Sequence, residues 1–325
     1  MSISALFVLC ALVACGPDYQ VPDPVENGNT STSQPTGNSD GDGGGSGSGS
    51  DSGSGGSASQ DTGGLLAADG NDDGTYDLIT RCGYNYETPD NSGDHASAPF
   101  RHIRQRYDNV LQKNVFDFYI HIQNDDDRGL ANVKDRQRNE IKTDAKSPES
   151  MVAQEGETLR MTWKFRLPAG MLTTTSFCHV HQLKGIDNSA GTADVGNPMI
   201  TYTCRSTSVG KQQFQVIYVG RTQDKTGNVY LGKYDLADFL GQWVSVSETV
   251  TFGKNGSYHL VIYRVSDGKE LVKIDRTGMD LWRDGTIGLR PKWGIYRSFG
   301  DNRSLASQLR DEVLGFADFQ VQKVQ

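Results

Sequence analysis

Nine residues decide most of what this chain can become. Leu159, Met161, Trp163, Phe165 and Leu167 fall on one side of an extended strand, and Arg160, Thr162, Lys164 and Arg166 fall on the other. The same two-residue period returns at 115–122, 177–183, 199–204, 214–219, 243–252, 258–265, 287–296 and 313–321. Turn dipeptides separate several of these runs: Asn255-Gly256, Asp267-Gly268 and Asp284-Gly285. No long helical period competes. Only 304–310, with Ser304 as N-cap, reads as a short helix. Roughly ten strands without a short repeat imply an all-β chain. The expected architecture is an antiparallel β-sandwich of the jelly-roll kind, with one concave sheet carrying a groove.

The front of the chain follows different rules. Residues 5–14 are apolar and end in Leu12-Val13-Ala14 before Cys15. That run is too short to span a bilayer and reads as a signal h-region. Its ending resembles a bacterial lipoprotein box, which implies lipidation of Cys15 and a lipid-anchored place in the outer membrane or at the cell surface, with simple secretion as the other reading. Residues 16–68 are rich in Gly, Ser and Asp and read as a flexible linker. The expected division is a signal peptide at 1–15, a linker at 16–68 and one folded domain at 69–325.

Asp69, Asn71, Asp73 and Asp77 alternate around Gly74 in the pattern of a calcium loop, although Thr80 stands where the bidentate acid should be. A weak structural calcium is one expectation, and an acidic, turn-rich linker end is the other. Cys82, Cys178 and Cys204 could supply one disulfide and one spare thiol in an exported protein.

Charge sharpens the functional reading. The chain has 32 basic and 40 acidic side chains, a net −8. Residues 1–90 hold thirteen of the acids and only one base, Arg81, so 91–325 carries 27 acids against 31 bases. The acidity belongs to the front, and the folding part is slightly basic. No basic block is dense enough for a nucleic-acid binder.

Three clusters could carry chemistry. Arg136, Arg138, Glu140 and Lys142 line one face of a strand, a row suited to a polyanion. His179 and His181 sit two apart, which places them on a common strand face. As a metal pair they lack the following Glu that a cupin-type site needs; as neutral imidazoles they suit proton transfer and hydrogen bonding. Lys292, Gly294 and Tyr296 share a face, with Gly294 leaving room for a sugar ring between a cation and a phenol, and Arg297 follows.

Together these clusters resemble the jelly-roll polysaccharide lyases, typified by alginate lyases with R-x-E-L-R, Q-I-H and Y-F-K-A-G-x-Y motifs. The counterparts are Arg138-Asn139-Glu140-Ile141-Lys142, then His179-Val180-His181, then Lys292-Trp293-Gly294-Ile295-Tyr296, with Arg290-Pro291 replacing the leading aromatics. Heparin- and glucuronan-cleaving lyases share this architecture. The resemblance implies β-elimination on a 4-linked uronate polysaccharide. It assigns Arg138 and His179 to the substrate carboxylate, Tyr296 to proton transfer and His181 to the base of an anti elimination. Arg136, Glu140, Lys142, Lys292 and Arg297 would bind or orient neighbouring uronates. Bond cleavage would need no cofactor. A non-catalytic carbohydrate-binding jelly roll is the competing reading. A glycoside hydrolase is less well matched, because no E-x-D-x-E strand supplies its paired carboxylates.

Overall fold

The structure, a computed structural model, describes residues 64–90, 95, 98–123, 125–128, 133–220 and 227–324. The expected signal, its Cys15 and most of the linker lie outside the described residues. A short helix, α1 (Thr75–Arg81), opens the described fold. The strands are β1 (Asn85–Glu87), β2 (Ile103–Asp108), β3 (Lys113–Ile120), β4 (Arg136–Lys142), β5 (Thr158–Arg166), β6 (Cys178–Ile186) and β7 (Ile200–Ser206). They continue with β8 (Gln212–Val219), β9 (Asn228–Asp235), β10 (Trp243–Thr251), β11 (Gly256–Arg264), β12 (Glu270–Met279), β13 (Gly288–Ser298) and β14 (Glu312–Val324).

These strands form two seven-stranded antiparallel sheets. One has the order β1-β4-β13-β6-β7-β8-β9 and the other β12-β11-β10-β5-β14-β3-β2. The core lies between them. β5 contributes Leu159, Met161, Trp163 and Phe165, all buried, while its alternate residues are exposed or half-buried. Phe116, Phe118, Phe214 and Phe316 meet them from β3, β8 and β14. Each such side chain contributes roughly 1.5–3 kcal/mol by leaving water. Leu66, fully buried and bridged to Phe319, already belongs to this core, so ordered packing begins ahead of the expected boundary at 69.

β4, β13 and β6 depart from the two-faced pattern. All of their residues are buried, polar ones included. One face of each points into the sandwich, and at β4 the loop after β3 adds a bridge from Asp127 to Arg138. This double burial marks the strands that carry the candidate site.

One local expectation changes. Residues 304–310 do not form a helix; two 3₁₀ turns, Asp301–Arg303 and Ala306–Gln308, occupy that region. The Asp69–Asp77 stretch folds into the start of α1. There the Asn71 side chain accepts from Gly74 N at 3.2 Å, and Asp69 Oδ1 accepts from Asn71 N at 3.0 Å. Asp73 pairs with Arg101 and Asp69 with Arg81. Cys82, Cys178 and Cys204 are free thiols, and burial pushes the Cys178 thiol up to about 12.

Candidate active site

Register across three neighbouring strands builds the site. Tyr296 of β13 lies opposite Arg138 of β4 on one side and His179 of β6 on the other. Four residues back along β13, Lys292 lies between Lys142 and Gln182. The sheet therefore presents one row of Arg138, Tyr296 and His179 and a second of Lys142, Lys292 and Gln182, with Glu140 and Gly294 between them.

The first row is tightly bonded. Arg136 Nη1 donates to the Tyr296 hydroxyl at 2.9 Å. The Arg138 guanidinium carbon stands 3.9 Å from the centre of the Tyr296 ring, a cation–π distance. Phe177 packs against both His179 and Tyr296, with ring centres 4.9 Å away in each case. His179 Nδ1 is 2.8 Å from Thr203 Oγ1, which in turn is 2.9 Å from Thr201 Oγ1. Burial, with Arg205, Arg138 and Lys184 nearby, pushes the His179 imidazole down to about 3, so it is neutral at any ordinary pH.

Beneath these groups runs a buried ion network. Glu87 of β1 accepts from four cations: Lys292 at 2.6 Å, Lys142 and Arg128 at 2.9 Å, and Arg138 at 3.1 Å. Asp127 accepts from Arg138 Nε at 2.8 Å, and Glu140 takes Arg138 and Lys292 at 3.2 Å each. The second oxygen of Glu140 accepts from Gln182 Nε2 at 2.5 Å. Burial works against charge on Glu87, yet Lys292, Arg138, Lys142 and Arg128 outweigh it and hold its carboxyl well below the usual range. Burial and the adjacent Arg138 push Lys292 down to about 8, against the pull of Glu140 and Glu87.

Several expected residues sit elsewhere or serve otherwise. His181 does not share a face with His179. β6 holds an extra residue against β7 between His179 and His181, and a bulge of this kind turns the next side chain to the opposite face. His181 is fully buried between the sheets, against Trp163, Trp293 and Tyr202, with Nε2 2.9 Å from Glu248 Oε2. It cannot reach a substrate in the groove. Arg297 lies at an odd position from Tyr296 and points inward, donating to Gln137 Oε1 at 2.9 Å and to the Arg310 carbonyl at 2.8 Å. Glu140, Lys142 and Lys292 are buried and engaged in the ion network.

Gly294 has a different reason from the one its spacing suggested. Its φ is +145°, and a Cβ there would stand 2.1 Å from the Asn139 carbonyl oxygen and 2.7 Å from Glu140 Cα. The missing side chain makes room for the β4 backbone, not for a sugar. Gly294→Ala is therefore expected to destabilise the fold by at least about 1–3 kcal/mol. A urea midpoint equal to the parent's would refute this.

Glu87, Asp127, Arg128, Gln182 and Glu248 were not singled out by sequence. Glu87 is one acid on a three-residue strand and Glu248 one on a long strand, so neither belongs to a recognisable spacing. Gln182 follows His181 directly, and the bulge, which the sequence does not announce, brings it beside Lys292 and Glu140.

Neither protein-family models nor curated proteins gave a match to this sequence. Solved structures did. A family 7 alginate lyase, A1-II′, in complex with substrate superposes with a TM-score of 0.51 at 12% identity, covering 79% of this chain and 97% of that one. The same enzyme's 1.0 Å structure gives 0.50 at 11% identity, covering 78% and 98%. An endo-β-1,4-glucuronan lyase from the fungus Trichoderma reesei is matched at 0.46 and 13% identity, over 73% and 94%. The fold is that of the jelly-roll polysaccharide lyases. At such identity the lyase fold is what is shared, and the row of Arg138, Tyr296 and His179 occupies the inner strands of one of its two sheets.

Proposed function

We propose that this chain is a polysaccharide lyase that cleaves a 4-linked uronate polymer by β-elimination. The observation that carries the reading is the Arg138–Tyr296–His179 row, with Arg136 bonded to the Tyr296 oxygen, on a fold shared with an alginate lyase in complex with its substrate.

In this reaction the C5 proton leaves, its electron pair forms the C4–C5 double bond, the C4–O4 bond breaks, and O4 receives a proton. Charge builds on the C6 carboxylate as the proton departs and must be met by fixed donors. With His181 inside the core, Tyr296 is the group placed to move the proton. A syn course follows, in which its phenolate oxygen takes the C5 proton and returns it to O4. Two guanidiniums, one bonded to that oxygen and one over the ring, stabilise the negative charge it carries. A donor chain from Thr201 to Thr203 to His179 Nδ1 leaves His179 Nε2–H to meet the substrate carboxylate. A neutral donor at this place does what an amide side chain does in the related lyases.

Neighbouring uronates need cations that the ion network does not use. Arg290 is buried, lies opposite Lys184, and its Nε and Nη1 have no hydrogen-bond partner among the described residues. It stands three rows from Tyr296, on the order of 20 Å along the strand, so it would serve a distant subsite. We further propose that the chain acts at a bacterial cell envelope, anchored through Cys15.

The test is a panel of alginate, glucuronan and heparin-type polymers followed in the ultraviolet. Absorbance of the unsaturated ends should rise with at least one of them. No rise with any would sink the lyase reading and leave the carbohydrate-binding alternative.

A further inference from the structure

The segment leading into β2 and the loop after β3 together carry a second cluster that the proposed chemistry does not use. His95, His102, His121 and Asp125 each turn one ligand-type atom toward a common point, and the four atoms lie within 4.8 Å of one another. Asp125 Oδ1 is 2.8 Å from His95 Nε2 and 2.9 Å from His102 Nε2, and its Oδ2 is 3.3 Å from His121 Nδ1. His95, His102 and Asp125 are buried. His121 Nδ1 is itself buried and makes no hydrogen bond.

We propose that these four residues form a structural site for one divalent transition ion of the zinc class. Three borderline imidazole nitrogens with one carboxylate oxygen make a ligand set that suits zinc and its neighbours. Calcium would demand six to eight oxygens. Four protein ligands close the coordination shell, as in structural rather than catalytic zinc sites. With bonds of about 2.0–2.2 Å, tetrahedral ligands sit roughly 3.3 Å apart; the carboxylate–imidazole separations here are 2.8, 2.9 and 3.3 Å, and the four ligand atoms lie within 4.8 Å of one another.

The surroundings are built to support such a site. Asp90 Oδ1 is 2.9 Å from His102 Nδ1 and also accepts from the His102 backbone N at 3.1 Å, while its other oxygen accepts from the Tyr76 hydroxyl. This carboxylate–imidazole pairing fixes the ring with Nε2 toward the centre. Gln137 Nε2 donates to the His121 carbonyl at 2.6 Å and to the Asp125 carbonyl at 2.9 Å, pinning both loop ligands to β4. Asp125 lies two residues before Asp127, the acceptor of Arg138, and the Arg138 backbone N donates to the Asp126 carbonyl at 3.1 Å. The ion would thus fix the loop that presents Asp127 and Arg128 to the groove.

The experiment uses the full chain, stripped with a chelator and titrated with Co²⁺. One Co²⁺ per chain should bind with the intense visible absorption of a four-coordinate ion, and one equivalent of Zn²⁺ should bleach it. His121→Ala, at the half-buried edge, should abolish the band. Asp90→Asn should keep it but weaken affinity by about 10–100-fold. His259→Ala, at a half-buried histidine on β11 paired with Asp275, should change neither. If His102→Ala fails to fold, His121→Ala and the titration of the parent chain still decide. A parent chain that binds no stoichiometric Co²⁺, gives only the weak spectrum of a six-coordinate ion, or loses nothing with His121→Ala overturns the proposal. None of these readouts depends on the lyase activity.

Discussion

Tyr296→Phe is expected to lower kcat by about 10²–10⁴-fold, the range for losing a positioned acid–base group, while leaving fold and substrate binding largely intact. Only an oxygen is removed, and the ring keeps its contacts with Arg138 and Phe177. Arg136 loses one acceptor but retains Asp135, bonded through Nε and Nη2 at 3.1 and 2.6 Å. Steady-state kinetics on the polymer identified by the panel, with binding measured separately, checks this. A Phe variant with parent-like kcat would remove Tyr296 from the chemistry. His179 adds a companion test. Its imidazole is already neutral down to a pH of about 3, so no acid limb near its ordinary value should belong to it. His179→Ala should lower the rate without changing the shape of the pH profile, and His179→Gln, which keeps a neutral donor, should restore much of it.

Glu87→Gln is expected to cost stability on the scale of a broken buried ion network, about 3–5 kcal/mol. The substitution keeps the shape of the side chain but removes the one anion shared by Arg128, Arg138, Lys142 and Lys292. Asp127 and Glu140 would remain as carboxylates of the network. Denaturant unfolding of parent and variant measures the loss, and a difference under about 1 kcal/mol, typical of an exposed pair, would contradict the account. The pH dependence has a definite sign. The carboxyl of Glu87 is held well below its ordinary value of 4.5, so its contribution is full above that value and is lost as pH falls toward the folded value. Lys292 acts in the opposite sense. Its ammonium is pushed down to about 8 from 10.5, so the unfolded chain binds that proton more tightly, and stability from this group rises as pH climbs between the two.

The strands that were legible in the sequence and those that were not divide along a physical line. Most of the ten inner strands show apolar alternation, because one face of each meets the opposite sheet, while β4 is legible only as a row of charged residues. β1, β9, β12 and β2 escaped notice, and they are the four edges of the two sheets. β9 has no buried residue and β12 only two, so little apolar period survives there. The site was legible to the same extent. Arg138, Glu140, Lys142, Lys292 and Tyr296 share a face because β4 and β13 pair without interruption in this stretch. His181 did not follow, because a bulge carries no signature in a run such as Phe177-Cys178-His179-Val180-His181-Gln182. Glu87 and Asp127 arrive from an edge strand and a loop, and only tertiary structure brings them to Arg138. The same holds for the His95, His102, His121 and Asp125 cluster, whose members are scattered over 31 positions.

The central claim, elimination at a uronate linkage, is most directly tested by the masses of the products from a defined oligouronate. Elimination splits the chain without consuming water, so the two product masses should sum to that of the substrate, with one product a water lighter than its saturated counterpart. Products whose masses sum to the substrate plus one water would mean hydrolysis. An uncleaved substrate across the polymer classes would mean binding alone.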